Sequence, residues 1–428
     1  MDKFLISGAR VRGFEDLQDI LVSKGRIVQI KPVEKIPDAR IKRIDVEGRW
    51  VYPSFINSHT HLDKALMTWA ANEKSLYVGG KEVGSMALVK RELSAANVQE
   101  RGSKVIESAV SSGTTFIRTH VDIDPIVELR GLEGVLRLKE RYADHVYIQI
   151  VAFAQEGFQC DPKVFDLMKE AVGMGAEVVG GKPTSDGEQR MQSIDRMFEI
   201  AASFGCDLDV HVDTDIEKDY HRKVSIHADG RLYPDELEAV HLAERTIEHG
   251  MQGRVVASHL CALDTLKPEL RSNVVSLLQK AQVGVITSPS VCLYIEARGD
   301  THNTRRGATR AKELLQAGVC TAYATDNIGD AFNLYSNANM LAHGWLTAMM
   351  FHMKTVEDIQ TVMDMGTLHP AKLLRLERYG LSPGCDASLI VFDGTDFYDI
   401  FVNNKVPKLV FFSGRLVAAN QRESTLML

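Results

Sequence analysis

The chain has 428 residues, 45% of them hydrophobic and 25% charged, with a formal net charge of −7, the balance of a folded protein at home in water. No basic run offers itself to nucleic acid, and the negative balance disfavours anionic surfaces, so neither nucleic acid nor membrane is expected as a partner. The length exceeds what one hydrophobic core usually serves, which predicts a barrel-sized domain and a smaller companion.

The first segment, residues 1–52, reads as short strands broken by glycine: Phe4–Gly8, Ile20–Val22, Lys24–Ile30 and Ile44–Gly48. Its start lacks the apolar run of a signal peptide, and no stretch has the apolar length of a membrane helix. Six scattered cysteines without a C-x-x-C pair read as reduced thiols, so a cytoplasmic setting is expected. The far end, residues 376–428, also reads as strands: Ala387–Phe392, Lys408–Gly414 and Arg415–Ala418. The simplest arrangement pairs residues 1–52 and 376–428 in one small β-domain flanking a central domain of residues 53–375.

The central domain opens on the strand Ser54–Ser58, which runs into His59-Thr60-His61. Residues two apart on a strand point to one side, so both imidazoles can face one ion. Seven more strands follow at Thr115–Thr119, Tyr147–Phe153, Glu177–Gly181, Asp207–Val210, Arg254–Ser258, Gly284–Thr287 and Thr321–Thr325. Helical patterns lie between them, such as Pro162–Met174, Gln192–Phe204, Pro234–His249 and Thr309–Ala317. Eight βα units predict a TIM barrel, with a doubly wound open sheet as the alternative. No G-x-G-x-x-G follows the first strand, so no dinucleotide site is expected.

TIM-barrel enzymes carry their chemistry at the C-terminal ends of the strands. His59 and His61 end strand one, and His120 and Asp122 follow strand two. Gln155 and Glu156 follow strand three, Lys182 strand four, His211 and Asp213 strand five, His259 strand six, and Asp326 strand eight. Histidines and carboxylates gathered at strand ends are the donor set of a divalent metal. His120 and Asp122 read as supports rather than ligands. Trp69 and Phe332 sit where an aromatic would stack on a flat ring, with plain packing the simpler reading. Cys261 and Cys292 are left out of the chemistry.

The stretches PSFINSHTHLDK, SGTTFIRTHVDID, IQIVAFAQEGF, GAEVVGGKP, LDVHVD, GRVVASHLCAL and ATDNIGDAF stand in this order between residue 53 and about 335. In them the sequence resembles the amidohydrolase superfamily, and within it the cytosine deaminase branch with the hydrolases of aminotriazines such as N-isopropylammelide. The resemblance implies a deformed (β/α)8 barrel with a small β-sandwich built from both chain ends. It implies one divalent ion, zinc or ferrous iron, held by His59, His61, His211 and Asp326. His259 then orients the water or polarises a carbonyl, and Asp326 moves the protons. Gln155 hydrogen-bonds the heterocycle, and Lys64 matches a lysine of the triazine hydrolases. Beside that resemblance, Asn327 reads as orienting Asp326 or contacting substrate, and Asp213 as a helper in proton transfer, with Glu156, or as a grip on a substrate N–H. The implied reaction breaks an exocyclic C–N bond of a small heterocyclic substrate such as a pyrimidine or triazine, in a homo-oligomer.

The sequence departs from the branch at two places. Cytosine deaminases of this type carry a glutamate three residues after the strand-five histidine, where this chain has Thr214. They also carry an aspartate where this chain has Asn327, which puts cytosine itself in doubt as substrate. A lysine at the end of strand four, here Lys182, is carboxylated in two-metal relatives. The alternative reading is therefore a binuclear hydrolase that opens cyclic amides or ureides, and a non-catalytic scaffold is the third.

Overall fold

β-branched and aromatic residues dominate the first fifty positions, and they form strands. In the computed structural model, which describes residues 3–33, 41–67 and 90–421, β1 (Lys3–Val11), β2 (Gln18–Ser23) and β3 (Arg26–Pro32) make an antiparallel meander. β4 (Lys42–Asp45) and β5 (Trp50–Pro53) pair in parallel with successive halves of β1. A single residue, Ser54, then separates β5 from β6 (Phe55–Thr60), the first strand of a second, parallel sheet.

That sheet continues with β7 (Thr114–Asp122), β8 (Tyr147–Ala154), β9 (Val178–Gly181) and β10 (Asp207–Val212). A hairpin of β11 (Val224–Ile226) and β12 (Leu232–Pro234) follows, and β13 (Val255–His259), β14 (Gly284–Thr287) and β15 (Thr321–Tyr323) complete the sheet. β16 (Leu389–Phe392), β17 (Pro407–Phe412) and β18 (Arg415–Ala419) return to the first sheet, where β16 lies antiparallel to β5. Both chain ends thus share one sheet, ordered β18-β17-β16-β5-β1-β2-β3, with β4 beside β1. Because β1 changes partners midway, the sheet turns over its own core, and Phe4 stacks on Phe411 with ring centroids 5.5 Å apart.

The parallel strands stand in sequence order from β6 to β15, and helices such as Ala95–Ser111, Lys163–Met174 and Arg190–Phe204 cover the outside. Every residue of β6, β7, β9 and β14 is buried, as expected of strands covered on both faces. The ring closes where β6 meets the chain just past β15. Asn57 Nδ2 donates to Thr325 Oγ1 at 2.7 Å, the Asp326 N–H donates to the His59 carbonyl at 2.9 Å, and Thr60 pairs with Asp326. This closure selects the barrel over the doubly wound sheet.

Some strand ends differ from expectation. Strand two runs on to Asp122 because its ladder with β8 continues through His120–Val151 and Asp122–Phe153. Strand eight stops at Tyr323 because Thr325 and Asp326 leave β14 to bond β6. Pro234, expected to open a helix, instead ends the hairpin, and the helix begins at Glu238.

One polar layer is sealed inside the barrel. Arg118 on β7 donates to Gln149 Oε1 at 2.8 Å, to Asp209 Oδ2 at 2.9 Å and to the Leu373 carbonyl at 3.3 Å. Arg118 and Asp209 are both fully buried. Removing one partner of such a pair strands the other charge and costs about 3–5 kcal/mol. Arg118→Met should therefore lower unfolding stability by that amount, read from the urea midpoint at constant m-value. An unchanged midpoint would show that the pair is not structural.

Candidate metal centre and active site

The histidines meet at the C-terminal mouth of the barrel. His59 lies on β6, and His61 lies just beyond it on the same side, with ring centroids 5.5 Å apart. β10 contributes His211, 4.6 Å from His59, and β13 ends on His259, 4.5 Å from His211. The seam contributes Asp326. Its Oδ1 is 3.3 Å from His61 Nε2 and 3.7 Å from His59 Nε2, and its Oδ2 is 3.5 Å from His259 Nε2. His59, His61 and Asp326 form one group with metal-ligand spacing, and His59, His211 and His259 form another that shares His59. His259 and Asp326 hold positive φ of 74° and 59°, a strained backbone of the kind that gathers at functional sites.

These residues fit a divalent metal. His59 Nε2, His61 Nδ1, His211 Nδ1 and both Asp326 carboxylate oxygens are buried without a hydrogen-bond partner, although buried polar atoms are nearly always paired. Burial holds His59, His61 and His211 well below their ordinary pKa, which keeps them in the neutral form that ligates metals. Burial also opposes a charge on His259, but Asp326 beside it holds the ring above its ordinary value.

The His59 tautomer follows from its partners. Ser258 Oγ donates to Asp209 Oδ1 at 2.7 Å and lies 3.1 Å from His59 Nδ1. A hydroxyl has one proton, and here it goes to the carboxylate, so Nδ1 is the donor and Nε2 keeps a free lone pair. His120 stacks on His59 at 3.8 Å between centroids, with its Nε2 3.3 Å from Asp209 Oδ1, the supporting position expected of it. Burial works against the Asp209 charge, yet His120, Arg118 and Ser258 hold that carboxyl below its usual range. Asp209 and Ser258 escape a reading that stops at strand ends. The signal for Asp209 is that it stands two residues before His211 and so shares its face.

A cavity opens beside the cluster, lined by His61, His211, His259 and Asp326 together with Gln155, Lys182, Thr214, Cys292, Glu296, Asn327 and Phe332, among others. Gln155 and Asn327 are thus both in the cavity wall. Phe332 is in the wall, and Trp69 lies outside the described residues. Cys292, set aside in the sequence, also lines the cavity, and its Sγ is 3.3 Å from Cys261 Sγ.

Two residues expected at the substrate make contacts within the protein. The Lys64 ammonium is buried and donates to Asp122 Oδ1 at 2.8 Å and to Gln155 Oε1 at 3.1 Å. It orients Gln155, which lines the cavity. Asp122 also binds Lys90, which pairs in turn with Asp124 and Glu156. The Asp213 carboxylate accepts the N–H groups of Glu238 and Ala239, both at 2.8 Å, and so caps the helix Glu238–Glu248. Both oxygens thus accept from the start of this helix.

A closed parallel βα barrel with an H-x-H strand end, two further histidines and an aspartate at one mouth defines a metal-dependent hydrolase. The chain belongs to the amidohydrolase family, whose model matches residues 50–417. It is 27% identical over 425 residues to the N-isopropylammelide isopropyl amidohydrolase of Pseudomonas sp. (strain ADP), across 97% of each chain. It is 26% identical over 409 residues to the pterin deaminase of Rhizobium rhizogenes, across 93% of this chain and 87% of that one. Its fold is similar to the crystal structure of 5-methylcytosine deaminase from Klebsiella pneumoniae liganded with 5-fluorocytosine, with a TM-score of 0.88, 28% identity and 99% of both chains covered. The resemblance to the cytosine deaminase branch is borne out. No described helix is long and apolar enough to cross a membrane.

The capping role of Asp213 makes a prediction. Asp213→Ala should cost about 0.5–2 kcal/mol of unfolding free energy, measured by denaturant titration. Full stability with a raised KM would return Asp213 to the substrate.

Proposed function

We propose that this chain is a metal-dependent aminohydrolase that releases ammonia or an amine from an exocyclic C–N bond of a nitrogen heterocycle such as a pyrimidine or triazine. The observation that carries the reading is the metal-ligand spacing of His59, His61 and Asp326 and of His59, His211 and His259, with His59 Nε2 and both Asp326 oxygens buried and unpaired, beside a cavity that Gln155 also lines. Supporting it, the relatives named above act, by their names, on amine-bearing rings.

One divalent ion, zinc or ferrous iron, would be held by His59, His61, His211 and Asp326, a nitrogen and oxygen donor set that suits both. When bound, it supplies the Lewis acidity that makes a water nucleophilic near neutral pH. Asp326 takes the proton from that water as its oxygen attacks the ring carbon, and passes it to the departing nitrogen as the C–N bond breaks. His259, beside Asp326 Oδ2, orients the water. Gln155 has its Oε1 held by Lys64, which leaves its amide N–H for an acceptor on the ring. Asn327 Nδ2 donates to Asp330 at 2.6 Å, which leaves its Oδ1 for a ring N–H. Thr214 lines the cavity at the place of the branch glutamate; a threonine hydroxyl is no acid near neutral pH, so Asp326 carries both proton transfers.

Protein purified without chelator should contain about one equivalent of zinc or iron per chain, measured by elemental analysis. His211→Ala and Asp326→Ala should each lose metal and lower turnover by about 10³-fold or more. Near-parental rates in either variant would remove the mechanism. Two equivalents, falling on Lys182→Ala, would favour the ring-opening binuclear reading. Thr214→Glu supplies the missing acid and should raise ammonia release from cytosine, followed by a coupled ammonia assay; no gain would mean that Thr214 is not what excludes cytosine. The same reading carries a homo-oligomer in the cytoplasm, which sedimentation of the purified protein checks for assembly.

A further inference from the structure

Two charged side chains in the cavity wall have no work in the mechanism above. Lys182 follows the last residue of β9, and Glu296 follows the helix Pro289–Ile295. Both line the cavity that holds His61, His259 and Asp326. Among the described residues, neither side chain makes a hydrogen bond or an ion pair, with the other or with any third group. One is basic and the other acidic, and each acts on the titration of the other, yet they do not close into a salt bridge.

The other carboxylates that act on Lys182 are already engaged. Glu156 is paired with Lys90 at 2.8 Å, and Glu238 accepts from Thr184 and from the Asp213 N–H. Burial and the neighbouring Lys64 both disfavour the Lys182 ammonium. Burial and the Cys292 side push the Glu296 carboxyl up to about 8. A half-buried lysine and a half-buried acid, left unpaired across one cavity among the described residues, are polar groups that a ligand can satisfy. A ligand with an acidic edge and a donor edge completes both. Gln155 already offers a neutral N–H donor, so what Lys182 adds is discrimination by charge.

Resting on the aminohydrolase reading of this site, we propose that Lys182 and Glu296 determine specificity by reading opposite edges of the ring. Lys182 takes an anionic oxygen carried by the substrate, and Glu296 takes an N–H of the ring or of its amine. The substrate class is then an acidic amino-heterocycle. The anionic oxygen is either a ring-borne carboxylate or an ionised ring oxo group.

The test compares the metal-loaded full-length protein with Lys182→Met on three probes: cytosine, 5-carboxycytosine, and ammelide at a pH where its ring is ionised. The parent should favour at least one acidic probe over cytosine by about 10-fold or more in kcat/KM, and which one distinguishes the carboxylate from the ionised oxo group. Loss of one charge-assisted hydrogen bond lowers kcat/KM by about 10–100-fold. Lys182→Met should therefore lower the acidic-to-neutral ratio by that factor with its metal content unchanged, and Lys182→Arg should keep most of the preference.

A parent that prefers the neutral ring overturns the inference and leaves the aminohydrolase reading standing. So does an equal loss on acidic and neutral probes. Metal lost from Lys182→Met overturns it as well, because Lys182 then serves the metal. Release of neither ammonia nor amine from any probe overturns the aminohydrolase reading, and this inference with it.

Discussion

The barrel seam is the constraint on which the site depends. β6 and the segment after β15 are the first and last pieces of the ring, and they lock through Asn57, Thr60, Thr325 and Asp326. The Asp326 N–H bonds the carbonyl of His59 itself. The bond that closes the barrel therefore also sets the distance between two donor groups that lie far apart in the chain. Asp326 adopts a positive φ there, and the backbone strain is balanced by the seam hydrogen bonds that hold it.

Beneath the seam, buried charge keeps the rings in place. Asp209 joins Arg118 on one oxygen and Ser258 on the other, and Ser258 holds His59. A second network runs from Asp63, which accepts the Asp122 N–H, through Lys64 and Lys90 to Gln155 and Glu156. Unpaired ions in such surroundings would be costly, so each network tolerates few arrangements. Beside these networks His59 Nε2 and both Asp326 carboxylate oxygens are buried without a hydrogen-bond partner.

Much of this was legible in the chain. Eight apolar strands separated by helical stretches indicated a parallel barrel, because strands covered on both faces need little polar alternation. The strands at both ends share one sheet. His59, His61, His211, His259 and Asp326 were legible together because strand ends carry a barrel's chemistry, and the structure gathers all five. The contacts of Lys64 and Asp213 within the protein were not legible, for one reason. Both stand near strand ends, but their side chains turn into hydrogen bonds with Gln155 and with a helix start, partners that no local pattern reveals.

The sequence by itself determined the period of the elements, the H-x-H strand end, the missing glutamate at Thr214 and the family, because these are properties of residues near one another in the chain or of motifs in order. Only the tertiary structure decided that the ring closes, that Asp209 and Ser258 fix the His59 tautomer, and that Lys182 and Glu296 face one cavity without a partner among the described residues. Each of these depends on groups brought together from separate strands and loops. Their energies come from burial and from hydrogen-bond distances that do not exist until the barrel has formed.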